Sequence, residues 1–176
     1  MSANTWNLDK SHSGINFSVR HMMITNVRGS FNDFSAEVTA DPSNLAGAQV
    51  KIQIAAASID TKDEGRDGHL KSPDFFNVEQ YPNLEFVATS LTHKSGDDYK
   101  LVGDLTIAGV TKSVELVTEI SGPAKDPWGN EKIGVVADGA ISRAEFGLTW
   151  NAALETGGLL VGDNIKLHIE LEFAKA

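Results

Sequence analysis

IKLHIELEF, residues 165–173, is the stretch that decides the fold. Ile165, Leu167, Ile169, Leu171 and Phe173 fall on one side of an extended chain, and Lys166, His168, Glu170 and Glu172 on the other. This period of two marks a half-buried antiparallel strand, with one face on a core and one in water. The pattern recurs upstream. Ile15, Phe17 and Val19 alternate with Asn16, Ser18 and Arg20, and Val50, Ile52 and Ile54 alternate with Lys51 and Gln53. Tyr99, Leu101, Leu105 and Ile107 oppose Lys100, Asp104 and Thr106, while Ile133, Val135, Ala137 and Ile141 share a face. Residues 113–120 are less regular, because Val117 breaks the alternation of Val114, Leu116 and Ile120.

Turn chemistry separates these runs: DPSN at 41–44, SGDD at 95–98, AGVT at 108–111 and PWGN at 127–130. Between the turns lie about eight strands, several longer than the usual five or six residues. Long sequential strands joined by short turns predict an all-β, up-and-down antiparallel barrel rather than a sandwich. A length of 176 residues fits a single domain over 1–176. A barrel of eight strands is either just filled by its side chains or holds one small ligand. Both remain open from the residues. Inward Ala56, Ala88, Gly103, Ala137 and Gly139 leave volume, yet barrels also mix small and large side chains to fit their taper.

Composition narrows the function. With 24 acidic against 15 basic residues the net charge is −9, which repels nucleic acid and anionic membrane alike. There is no cysteine, so disulfides and thiol catalysis are excluded. MSANTWNLDKSH has no basic and then apolar leader, and no apolar run is long enough for a membrane span. A cytoplasmic protein is expected; a secreted or periplasmic form trimmed of its signal would read the same way.

One long segment has no strand period. Residues 61–82, TKDEGRDGHLKSPDFFNVEQYP, interrupt the barrel pattern, and such connections are usually functional. A short helical insert is expected around residues 63–76, opened by Asp63 and Glu64 and stopped by Pro73. Phe75 and Phe76 must then bury their rings, most simply at one barrel end. Residues 151–160, with Gly157 and Gly158 before Leu159 and Leu160, are the other candidate for a mouth.

Certain residues carry a resemblance over nearly the whole chain. They are Trp6, Asp9, His12-Ser13, Phe17, Val19 and His21; then Gly29, Phe31 and Ser58-Ile59-Asp60-Thr61; then Arg66-Asp67, His69-Leu70-Lys71-Ser72 and Asp74-Phe75-Phe76. Tyr81-Pro82, Phe86, Gly103 to Ile107, Gly109-Val110-Thr111, Arg143, Phe146-Gly147, Trp150 and Val161-Gly162-Asp163 complete the set. With these the chain resembles the YceI-like family of lipid- or polyisoprenoid-binding barrels. Ser142 and Glu145 stand where that family more often has Asn and Asp. The resemblance implies a lipocalin-like barrel, an elongated apolar cavity for an isoprenoid or other long-chain amphiphile, and a homodimer. It implies no cofactor and no catalysis.

The expected ligand wall follows the inward rows. It comprises Phe17, Val19 and His21; Phe34, Ile52 and Ile54; Phe86, Leu101 and Leu105; Val135; and Leu167 and Ile169. Arg66, Phe75, Phe76, Phe146 and Trp150 are expected around one end. His21 continues the row of Ile15, Phe17 and Val19, so it is either a hydrogen-bonded core histidine or a contact to a ligand headgroup. Arg66 and Asp67 read as a bracing ion pair, or Arg66 and Lys71 as anchors for a polar head. His12, His21 and His69 lack metal-ligand spacing, and no GxSxG elbow is present, so neither a metal site nor a hydrolase is expected. Two rivals remain: an enzyme acting on a similar amphiphile with His21 as general base, and a filled barrel acting through protein contacts.

Overall fold

The computed structural model describes residues 3–151 and 161–176. Its strands are β1 (Asn4–Leu8), β2 (Gly14–His21), β3 (Thr25–Phe31), β4 (Phe34–Asp41), β5 (Asn44–Ala55), β6 (Ile59–Asp60), β7 (Asn83–Ser95), β8 (Asp98–Ile107), β9 (Val110–Lys125), β10 (Glu131–Ser142) and β11 (Val161–Lys175). Helix α1 (Glu64–Lys71) lies between β6 and β7. Successive strands pair antiparallel from β4 through β5 and β7 to β11, and β1 closes the ring by pairing with both β4 and β11. The expected eight-stranded antiparallel barrel is therefore present, made by β1, β4, β5 and β7–β11.

The first long strands are broken, and the breaks shape the molecule. β1 and β2 lie end to end along β11: Leu8 opposes Phe173, Ile15 opposes Ile169 and Val19 opposes Ile165. Between them a 3-10 turn, Lys10–His12, opens where the Asp9 carboxylate accepts the Ser11 N–H. Asn32 and Asp33 break the returning chain between β3 and β4. As a result the β2–β3 hairpin leaves the ring. It stays paired to the first part of β11, while β3 has only the two residues of β6 on its other side.

Val117, which spoils the sequence alternation, points outward and is 76% exposed, while Thr118 points inward and is 2% exposed. The period is intact; only the chemistry is inverted. Thr118 is tolerated inside because its hydroxyl donates to Leu116 O at 3.2 Å. The inward glycines do not leave the volume expected of them. The Phe86 ring lies over Gly103 and the Leu116 side chain over Gly139, so close that an added Cβ at either site would collide with them. Among the expected small residues only Ala137 reaches the lumen.

Polar groups tie the break in β1–β2 to the last strands. His12 Nδ1 lies 2.9 Å from Asp9 Oδ2 and 3.4 Å from Glu172 Oε2, and the Lys132 ammonium lies 3.4 and 3.5 Å from the same two carboxylates. Among the described residues Asp9, His12 and Glu172 are the one group of possible metal-ligand side chains whose atoms lie close together, and the Lys132 ammonium sits against its two carboxylates. The hydrogen bond and charge of Asp9, with Glu172, push His12 above its ordinary 6.5. Bonds from Ser11 and then His12 hold Asp9 well below its ordinary 3.8.

These shifts set a pH window. The His12 contribution is full below 6.5 and fades as pH rises through its elevated folded value. The Asp9 contribution is full above 3.8 and fades as pH falls through its depressed folded value. Urea unfolding of the wild type and His12→Gln should therefore differ most between these limits and converge above them. A stability difference that is flat from acid to alkaline pH would contradict this linkage.

Candidate functional site

A cavity of about 270 Å³ runs inside the barrel, and its wall is apolar. At one end Trp6, Phe173, Ile133 and Ile120 line it and are themselves buried. Trp6 is fixed there because its indole N–H donates to Ala40 O at 3.1 Å. At the opposite end the wall is made by the β2–β3 hairpin, the start of β11 and the segment around α1. Val19, His21, Val27 and Val161 are only half-buried there. Residues 152–160, most of the other stretch expected at a mouth, lie outside the described residues.

Most of the expected wall residues come together. Phe17, Val19 and His21 from β2, Ile52 and Ile54 from β5, Phe86 from β7 and Leu101 and Leu105 from β8 line the cavity. So do Val135 from β10, Leu167 and Ile169 from β11, Arg66 from α1, and Phe75 and Phe76 beyond it. Three residues stand elsewhere. Phe34 starts β4 just after the break and packs under the Lys10 ammonium, 5.8 Å from its ring centre. Phe146 is 1% exposed in the 3-10 turn after β10, in the core but off the lumen. Trp150 lies behind Phe75, its ring centre 5.7 Å from Phe75 and 4.6 Å from His69.

The insert forms as its residues dictate. Asp63 caps α1 by accepting the Arg66 N–H at 3.0 Å, and the helix stops at Lys71, with Ser72 as its cap before Pro73. Gly65 and Gly68 make this short helix intrinsically weak, so tertiary bonds must hold it. They converge on buried Thr61. Arg66 donates from Nε to Thr61 Oγ1 at 2.8 Å and from Nη2 to Thr61 O at 2.7 Å. The Asp67 carboxylate accepts both the Thr61 N–H and its hydroxyl. The expected direct Arg66–Asp67 pair is thus replaced by a relay through Thr61. A hydroxyl fits between them because it accepts from the guanidinium while donating to the carboxylate.

Beyond the helix, Phe75 is 8% exposed and meets the His69 ring edge-on at 5.1 Å; His69 in turn lies 2.9 Å from Asp74. Phe76 meets Phe31 edge-on at 5.8 Å, and Phe31 meets Phe17 at 5.6 Å. An aromatic row thereby joins the insert to the hairpin across the cavity end. Opposite Phe17, Gly29 lets the ring lie flat on the strand, where a Cβ would strike both Phe17 and Thr61.

Arg143 is a wall residue to which the sequence assigns no role. It is 6% exposed, and its four hydrogen bonds among the described residues all go to backbone carbonyls. Nε donates to Gly162 O at 2.8 Å, Nη1 to Leu148 O at 2.7 Å and Trp150 O at 2.9 Å, and Nη2 to Val161 O at 3.2 Å. Burial pushes its guanidinium below the usual arginine value, and Asp163 partly offsets this. The signal was present: Arg143 extends the inward row Ala137, Gly139, Ile141, as His21 extends that of β2. His21 makes no ring hydrogen bond among the described residues, so the hydrogen-bonded core reading does not describe it.

The ionisable groups of the wall are Arg20, His21, Arg66 and Arg143, and no carboxylate joins them. All belong to the hairpin, the insert or the end of β10, at one end of an otherwise apolar lumen. Such a site suits an apolar chain with a polar or anionic head. Arg143 is spent on carbonyls. His21 and the Nη1 group of Arg66, which makes no bond among the described residues, remain for a ligand.

Comparison with known proteins agrees with this architecture. Residues 6–173 match the YceI-like domain. A UPF0312 protein of Staphylococcus aureus is 37% identical over 167 residues, covering 94% of this chain and 95% of that one. The crystal structure of Burkholderia cenocepacia BcnA superposes with a TM-score of 0.82 at 23% identity, covering 94% and 98% of the two chains. A polyisoprenoid-binding domain from Saccharophagus degradans, implicated in plant cell wall breakdown, superposes at 0.72 with 13% identity, covering 98% and 99%. At those identities the two structures share the fold alone. The match over residues 6–173, the similarity to the staphylococcal protein and the closed barrel place the chain in the YceI-like family.

Proposed function

We propose that the barrel binds a long-chain isoprenoid or similar amphiphile, with its tail in the lumen and its head at the end carrying His21 and Arg66. The protein would then sequester, store or carry that lipid without chemical change. The observation that carries this reading is the wall: a continuous apolar lumen whose ionisable groups are all cationic or neutral and all at one end. The polyisoprenoid-binding name of the Saccharophagus degradans neighbour points the same way.

Burial supplies the driving force. Each methylene removed from water contributes about 0.8 kcal/mol, so a few isoprene units give a large gross term. Ordering the chain reduces it, and net affinity follows the roughly 0.3 kcal/mol per heavy atom of larger ligands. Polar groups at the mouth would add selectivity for the head rather than most of the affinity.

Titration with a fluorescent polyprenyl alcohol or diphosphate tests this. Saturable uptake is expected, with His21→Ala weakening the diphosphate probe by roughly threefold to tenfold and changing the alcohol little. The enzyme alternative, with His21 as general base, requires a product. Lipid recovered chemically unchanged after incubation excludes it, and a new species that vanishes in His21→Ala would establish it instead.

A further inference from the structure

The β2–β3 hairpin ends in three apolar residues that the barrel does not cover. Met22, Met23 and Ile24 are 43%, 57% and 71% exposed. Their turn is built against backbone preference. The Ile24 N–H donates to His21 O at 3.2 Å, and Met22 and Met23 between them have φ of 53° and 62°. Two successive left-handed residues in a hairpin are most readily filled by Asn-Gly, not by two methionines. Strain of this kind is a pointer to function rather than to folding.

Charge is equally local, and on this hairpin it runs opposite to the net −9 that repels an anionic membrane from the rest of the surface. Residues 10–32 contain no aspartate or glutamate, although the chain has 24 of them. Arg20 and Arg28 are exposed on the two hairpin strands, and Ser18 lies in register between Arg28 and exposed Lys166. Arg20 Nη2 donates to Met23 O at 3.1 Å, which holds one cation on the tip itself. The carboxylate nearest in sequence to the pairing of Val161 with His21 is Asp163, which is engaged by the Ser142 hydroxyl and the Ala144 N–H. Val19, His21 and Val27 of this same hairpin line the cavity.

We propose that the hairpin docks the barrel on an anionic phospholipid bilayer. Met22, Met23 and Ile24 enter the boundary between headgroups and acyl chains, while Arg20, Arg28 and Lys166 meet lipid phosphates. The cavity end then rests on the membrane, and Asp138, which shares an outer groove with Arg28 and Lys166, is paired with His168 at 2.6 Å. A second copy of the chain is a poorer occupant. Pairing two tips sets their arginines against one another, and three side chains fall far short of the roughly 800 Å² per partner of a stable interface. The proposal rests on the lipid-binding reading only for the reason why this end should meet a membrane.

Cosedimentation of the full chain with phosphatidylcholine vesicles, with and without about one-third phosphatidylglycerol, tests it. The wild type should bind the anionic vesicles at least tenfold more tightly than the neutral ones, and less tightly as salt rises. Replacing Met22→Asn, Met23→Gly and Ile24→Ser together should cost roughly tenfold or more in vesicle binding. It should leave the melting temperature unchanged or raised, because the turn is relieved. Arg20→Gln and Arg28→Gln should each cost about fivefold on anionic vesicles only. Absence of wild-type binding, or equal binding by the tip variant, overturns the proposal. So does a tip variant that alters oligomeric state without altering vesicle binding, which would assign the tip to protein contact. Uptake of the polyprenyl probe in solution is read separately: uptake without vesicle attachment ends the docking proposal and keeps the cavity reading. Attachment without uptake does the reverse.

Discussion

Arg143→Met lowers the melting temperature by roughly 6–12 °C, the largest loss expected from a single polar substitution in this barrel. Three backbone carbonyls, on Leu148, Trp150 and Gly162, lose the guanidinium at once, and Val161 O keeps its bond from Asn151 Nδ2 at 2.7 Å. Methionine fills much of the volume, so the loss isolates the unmet carbonyls. Unsatisfied buried acceptors cost about 1–3 kcal/mol each, but exposed edges of the segment recover some by hydration, which sets a net near 3 kcal/mol. Lysine does not rescue, because one ammonium lacks the planar fork that reaches both sides of the turn. Thermal unfolding followed by circular dichroism checks this. A shift below about 2 °C would mean that the carbonyls are hydrated and that the guanidinium is not a structural pin.

The second large effect is on binding rather than stability. Ala137 lies in the middle of β10, 3% exposed, between Thr118 of β9 and Ile169 of β11, and faces the lumen. Ala137→Phe places a phenyl ring in a cavity of about 270 Å³. Overfilling a well-packed core costs about 1–3 kcal/mol, but here the ring has open space to occupy, so the melting temperature should move by only a few degrees. Uptake of a polyprenyl probe should fall by at least tenfold, the loss of a few buried methylenes. A folded Ala137→Phe protein that takes up the probe normally would place the ligand outside the lumen.

The barrel was legible because every strand has to solve the same problem, one face in and one face out, and does so with a period that survives exceptions such as Val117 and Thr118. The breaks were not legible. Nothing in the alternation of residues 4–41 separates a continuous strand from one interrupted at Lys10–His12 and Asn32–Asp33, since both keep apolar residues facing inward. Phe34 directly follows the second break and packs under Lys10, a placement the alternation alone does not specify. The volume at Gly103 and Gly139 was misjudged because a side chain from a neighbouring strand, Phe86 or Leu116, fills it, and cross-strand packing has no local signal.

The insert shows the same division. Asp63 and Pro73 bound its helix by rules local to the chain, and both operate. The brace was only half visible: Arg66 and Asp67 are adjacent and of opposite charge, which suggests a pair, but their common partner Thr61 is identified only by the fold. Phe75 and Phe76 do pack at the cavity end, on two different neighbours. Arg143 had the same sequence signal as His21, a polar residue ending an inward row. The difference lies in what each meets there, carbonyls for one and the cavity end for the other.

Organic extraction of freshly purified protein, with native mass spectrometry of the same sample, tests the central claim most directly. A complex heavier than the chain, releasing an intact long-chain lipid on extraction and reverting to the bare mass, is the predicted result. A bare chain from which no lipid can be extracted, and which after delipidation takes up no polyprenyl probe, would contradict it.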